Sequence, residues 1–142
     1  MKNLIIVFII CISISQIQSQ SFEGKGDSKV SIGYDIYGYG NGIKVAYDYG
    51  LGNLFSIGLG SSFYFNNDEN DYFIYARSNV HLGILMDLPP QFDIYPGVEL
   101  GYLSRGDIGL SGYVGLKYFI NKKIGIYAEL GSIGSVGLSA NL

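Results

Sequence analysis

The chain has 142 residues, with 9 Lys and Arg against 12 Asp and Glu and a formal net charge of −3, a balance that argues against nucleic-acid binding. That length suits one domain, yet charged residues make up only 15% of it, well below the ~25% of soluble domains. Gly (21) and Tyr (13) are abundant, Pro is scarce (3), Trp is absent, and the single cysteine excludes a disulfide framework.

The first element is a leader. Lys2 supplies a minimal positive start, "LIIVFIICISIS" from Leu4 an apolar stretch, and "QIQSQ" a polar exit containing the small Ser19. This is the plan of a secretory signal peptide covering residues 1–20, with cleavage near Ser19 or Gln20. The apolar stretch is shorter than the ~20 residues that a spanning helix needs. Cys11 lies inside it, preceded by Ile10 rather than the small residue a lipidation site requires. Cleavage therefore leaves a cysteine-free and still more acidic chain, residues 21–142.

After "SFEGKGD" the sequence becomes a series of alternating runs, the mark of half-buried strands. The predicted strands are Ser28–Tyr37, Gly42–Tyr49, Asn53–Phe65, Asp71–Met86, Phe92–Leu103, Asp107–Ile120, Lys123–Gly131 and Ser135–Leu142. Each gap carries turn chemistry: "YGNG", "GLGN", "NNDEN", "DLPPQ", "SRGD", "NKK" and "SIG". Pro96 alone interrupts a run and predicts a bulge or the loss of one ladder bond in the fifth strand. No window has a helical period, and every connection is short enough for a hairpin. Eight strands in such a meander close into an up-and-down antiparallel barrel.

The two faces of these strands differ sharply. One is aliphatic and uncharged, running through Val30, Ile32, Val45, Ile57, Leu59, Ile74, Val98, Leu100, Leu110, Val114, Leu116, Ile126 and Leu130. The other is mostly Gly, Ser and Tyr with a sparse ionisable set: Asp35, Lys44, Asp48, Arg77, His81, Glu99, Lys117 and Glu129. A soluble barrel would crowd its outer face with charge. Isolated charges of both signs among glycines suit a narrow polar lumen instead, and the aliphatic face suits lipid. The fold expected is thus all-β, an eight-stranded antiparallel transmembrane barrel. Aromatics near strand ends add two expected girdles, Phe63, Tyr64, Phe65, Tyr72 and Phe73 at one rim and Tyr49, Phe55, Phe92, Tyr95, Tyr118 and Phe119 at the other.

With leader, eight alternating runs, lumenal charges and the apolar terminal run "SVGLSANL", the chain resembles the small eight-stranded outer-membrane barrels of Gram-negative bacteria, the outer-membrane protein A/X type, and uncharacterised small barrels of the Bacteroidota. It departs from the usual pattern in ending on Leu142 rather than an aromatic and in its short loops. The resemblance implies an outer-membrane location with both termini periplasmic, so that the gaps near Gly40, Asn67, Gly106 and Ile133 face outward.

Candidate chemistry is sparse. Arg105-Gly106-Asp107 reads as a tight turn rather than an adhesion tripeptide, and "NNDEN" lacks the spacing of a calcium loop. Phosphate loops and Cys/His metal spacings are absent. His81 is expected near Glu99 as a structural hydrogen-bond donor, and Arg77 and Lys44 are expected to lie against Gly58 and Gly60 and to pair with Asp35, Asp48 or Glu99. These residues point to a monomeric, non-enzymatic membrane barrel without cofactor or metal, partnered by the lipid bilayer and plugged by polar side chains. The alternatives are a secreted lipocalin-like barrel whose aliphatic face lines a ligand cavity, a narrow ion or water pore, and a lipid-acting enzyme using His81.

Overall fold

The computed structural model describes residues 20–65 and 70–142. The expected leader with Cys11, and the acidic tip containing Asp68 and Glu69, lie outside the described residues. Eight strands follow in chain order: β1 (Ser28–Tyr37), β2 (Gly42–Gly50), β3 (Phe55–Tyr64), β4 (Asp71–Val80), β5 (Phe92–Leu103), β6 (Ile108–Phe119), β7 (Ile124–Gly131) and β8 (Gly134–Asn141). Each pairs antiparallel with the next, and β8 pairs with β1 to close the barrel.

Closure makes strand parity decisive, because successive side chains point to opposite faces. The aliphatic parity points out: Ile32 is 57% exposed and Leu59 and Leu110 are each 68% exposed. The ionisable parity points in, and Lys44, Arg77, Glu99 and Glu129 are buried. A cavity-lining role for the aliphatic face, as in a soluble ligand-binding barrel, does not hold.

The lumen is filled by tyrosines laid over glycines on the neighbouring strand. Tyr75 of β4 sits opposite Gly60 of β3, and Tyr95 of β5 opposite Gly115 of β6. A Cβ at Gly115 would stand 2.2 Å from Cζ of Tyr95, which is itself buried. A ring can cross the lumen there only because glycine leaves the space. Gly115→Val is therefore expected to cost about 1–3 kcal/mol through overpacking. Gly112→Ala, where a Cβ meets nothing within 4 Å, should cost far less in the same urea titration.

Several boundaries differ from expectation. β4 stops at Val80 rather than Met86. The chain then leaves the ladder in a turn where Met86 N–H bonds to Leu82 O (3.0 Å) and Leu88 N–H to Gly83 O (3.0 Å). Ile84, Leu85 and Met86 are exposed on this turn. β3 begins at Phe55 rather than Asn53 because Gly52 and Asn53 complete the preceding bend. Pro96 causes no bulge against β6, where it sits opposite Val114. Instead the β4–β5 ladder ends one residue away, at Asn79 opposite Gly97, where the missing N–H would next be needed.

The aromatic rims also divide by parity. Phe63, Phe65, Tyr72, Tyr49, Phe55 and Phe92 point outward, with the half-buried Tyr118 paired to Phe92, whereas Tyr64, Phe73, Tyr95 and Phe119 are buried in the lumen. Only the first group belongs to a girdle. Of the other four, Tyr64, Phe73 and Phe119 fill the lumen near strand ends, and Tyr95 reaches Glu129 further in.

Candidate functional site

The lumen holds two groups of polar side chains. The central one is built on β2, β4, β5 and β7. Arg77 sits opposite Gly58 on one side and Glu99 on the other. Its Nε lies 3.1 Å from Asp48 Oδ1, its Nη2 2.7 Å from Glu129 Oε1 and its Nη1 3.5 Å from Glu99 Oε1. Lys44 Nζ lies 2.6 Å from Glu99 Oε1 and 3.2 Å from Glu129 Oε2. Two cations thus hold three carboxylates together, all buried.

Neutral donors add to the shell, which leaves Glu99 Oε2 without a hydrogen-bond partner among the described residues. Tyr95 O–H (3.0 Å) and Ser135 O–H (3.1 Å) donate to Glu129, and Asn79 Nδ2 donates to Asp48 (3.4 Å). The Tyr113 ring lies 5.1 Å from the Arg77 guanidinium, and its hydroxyl donates to Asn79 Oδ1. Buried charges persist only when paired and hydrogen-bonded in this way.

Of the eight ionisable residues singled out in the sequence, five meet here: Lys44, Asp48, Arg77, Glu99 and Glu129. Asp35 is buried but makes no ion pair among the described residues. Lys117 is also buried, its ammonium 5.1 Å from the Tyr95 ring centre, with no carboxylate in ion-pair distance among the described residues. Lys44 sits opposite Ser62, not Gly60, whose space Tyr75 occupies.

His81 belongs to a second group, at the end of the barrel where the chain enters. Its expected neighbour Glu99 is instead opposite Arg77. His81 Nδ1 contacts Asp93 Oδ2 at 2.5 Å, and Nε2 contacts Ser56 Oγ at 2.7 Å. Gly83 N–H donates to the other oxygen of Asp93 (3.1 Å), and Asn79 Nδ2 donates to Ser56 Oγ (3.3 Å). Phe22 lies flat on the imidazole, with ring centres 3.6 Å apart and planes 8° from parallel. Beside them Lys29 pairs with Asp27. The sequence reading missed Ser56, Asp93 and Phe22. Parity marks the first two: Ser56 shares the inward face with Gly58, Gly60 and Ser62, and Asp93 shares it with Glu99.

Arg105 is held at the opposite rim, where Nη2 donates to Asp71 Oδ2 (3.1 Å) and Tyr39 O (3.0 Å). Gly106, at φ 95°, makes the turn. No cluster of three or more metal-ligating side chains occurs among the described residues.

Solved structures share this architecture. A de novo designed transmembrane β-barrel matches with a TM-score of 0.67 at 17% identity, over 84% of this chain and 98% of its own. The N-terminal β-barrel domain of Pseudomonas aeruginosa OprF matches with a TM-score of 0.64 at 13% identity, over 84% and 100%. The Yersinia pestis outer membrane protein Ail, in a phospholipid bilayer nanodisc, matches with a TM-score of 0.54 at 14% identity, over 83% and 100%. At such identities the likeness is one of fold, that of small eight-stranded transmembrane barrels. No curated protein matches the sequence. A family model does match it over residues 12–136, most of its length, and the chain belongs to that family, the family of unknown function DUF6646.

Proposed function

We propose that this protein is an outer-membrane barrel with both termini in the periplasm, acting as a monomer in a structural or platform role rather than as a channel. The observation that carries this reading is the tie between Arg77, Asp48, Glu99 and Glu129 across a lumen whose outer wall is aliphatic. The central charges act as a plug: two cations tie three carboxylates together across the lumen, and they serve no reaction. The lipid bilayer is the partner that the outer face is built to meet. The resemblance to small outer-membrane barrels supports the location.

Two measurements test it. Refolded chain mixed with phospholipid vesicles should float with them on a density gradient; recovery in the soluble fraction would overturn the membrane reading. In planar bilayers the inserted protein should give no resolved single-channel steps. Steps that disappear with Arg77 substitutions would instead mark a pore through the charge network.

A further inference from the structure

We propose that Ser56, His81 and Asp93 form a serine acyl-transfer centre at the mouth of the barrel, directed at carboxylic esters with an apolar acyl group and closed in this structure by Phe22. This goes beyond the structural reading and concerns only the mouth. The contacts have the order that an activated serine requires: Asp93 accepts from Nδ1–H of His81, and Nε2 is left to accept from the hydroxyl of Ser56. The Gly83 N–H holds the Asp93 carboxylate in place, and Asp93 acts as a positioning residue.

Two cavities flank the centre, and Phe22 is a wall of both. The outer one, about 320 Å3, reaches His81 and Asp93; the apolar Ile84, Leu88, Pro89, Pro90 and Phe92 form one part of its wall and the polar Gln20 and Asp87 another. The apolar part suits an acyl chain. The inner one, about 10 Å3, is bounded by Ser56, His81, the cations Lys29 and Lys117 and the carboxylates Asp27 and Asp48. Lys117, on the same cavity and 5.1 Å from the Tyr95 ring centre, is the cation nearest in kind to what a developing negative charge on a carbonyl oxygen needs, with Asp48 as its counter-charge across the cavity. Ser56 is only 1% exposed, and Phe22 stands between it and the outer cavity. Gly24 (φ 90°) and Gly26 (φ 87°) bend the segment that carries Phe22, and displacement of that ring would open Ser56 to the outer cavity.

The reaction balances with water as the only co-reactant. Ser56 Oγ forms a bond to the ester carbonyl carbon as His81 Nε2 takes the hydroxyl proton. The ester C–O bond breaks, and His81 returns that proton to the departing alkoxide as the alcohol leaves. Water then adds to the acyl carbon, His81 again carries the proton, and the carboxylic acid leaves as Ser56 Oγ–H is restored.

The test is reaction of the full chain in detergent micelles with a fluorophosphonate, which phosphonylates activated serines, followed by mass mapping to locate the adduct. An adduct on Ser56 is expected, formed several-fold faster in Phe22→Ala and at least ~100-fold slower in His81→Gln. Phe22→Ala should also hydrolyse a nitrophenyl butyrate ester, and Ser56→Ala built on it should not. Each variant is checked for an intact barrel by its heat-dependent gel mobility. Intact wild type and Phe22→Ala that both lack the adduct would overturn the proposal. So would an adduct rate that His81→Gln leaves unchanged, or an adduct without ester turnover. Vesicle flotation is independent of these outcomes, so failure here leaves the membrane reading standing.

Discussion

Arg77→Met should destabilise the barrel by about 3–5 kcal/mol, the cost of removing one partner from a buried ion cluster. Arg77 touches Asp48, Glu99 and Glu129, and in its absence Lys44 alone faces the last two. Methionine keeps much of the volume, so the loss measures charge and hydrogen bonding rather than a cavity. The chain has no Trp, so unfolding in urea is best followed by circular dichroism and by heat-modifiable gel mobility. Glu129→Gln alone should also destabilise, because it weakens the contacts of both cations. Combined with Arg77→Met it should cost less than the sum of the two, since the substitutions act on one network. Strict additivity would mean that the cluster does not work as a unit.

The fold was more legible than the site, and the reason is geometric. Strand count, inward parity and the apolar belt depend only on alternation within each strand, which Lys44–Ala46–Asp48 and Val45–Tyr47–Tyr49 display directly. Pairing across strands depends on where each hairpin turns. Pro89-Pro90 suggested a turn centred there, which would place His81 opposite Glu99. The observed pairs, Arg77 with Glu99 and Asn79 with Gly97, are centred on Leu88, because the turn from Leu82 to Leu88 removes residues that had been counted as strand. A shift of this kind leaves every side chain on its face but changes its partner. It brings Asp93 rather than Glu99 to His81. The aromatic rims were misread for a related reason. Position near a strand end is visible in the sequence, but adjacent residues such as Phe63 and Tyr64, or Tyr72 and Phe73, face opposite ways, and only one of each pair meets the outside. Phe22 lies before the first strand, where alternation carries no information about what it packs against.

The second large effect concerns the outer face. Leu59 lies in the middle of β3, between Tyr47 of β2 and Ala76 of β4, and points outward. In a bilayer, Leu59→Arg places a charge near the hydrocarbon midplane and should cost about 2–4 kcal/mol of folding stability in vesicles. Ile108, equally outward but at the first residue of β6, lies near the rim. Ile108→Arg should cost only about 0–1 kcal/mol, because its charge can reach the interface. Depth is the only variable between them that a membrane would sense. A soluble barrel would tolerate both substitutions and gain solubility from each. The difference between the two, measured by urea unfolding of vesicle-inserted protein, therefore separates lipid from water at that face without reference to the lumen. Equal and small costs would place water against Leu59 and remove the membrane reading altogether.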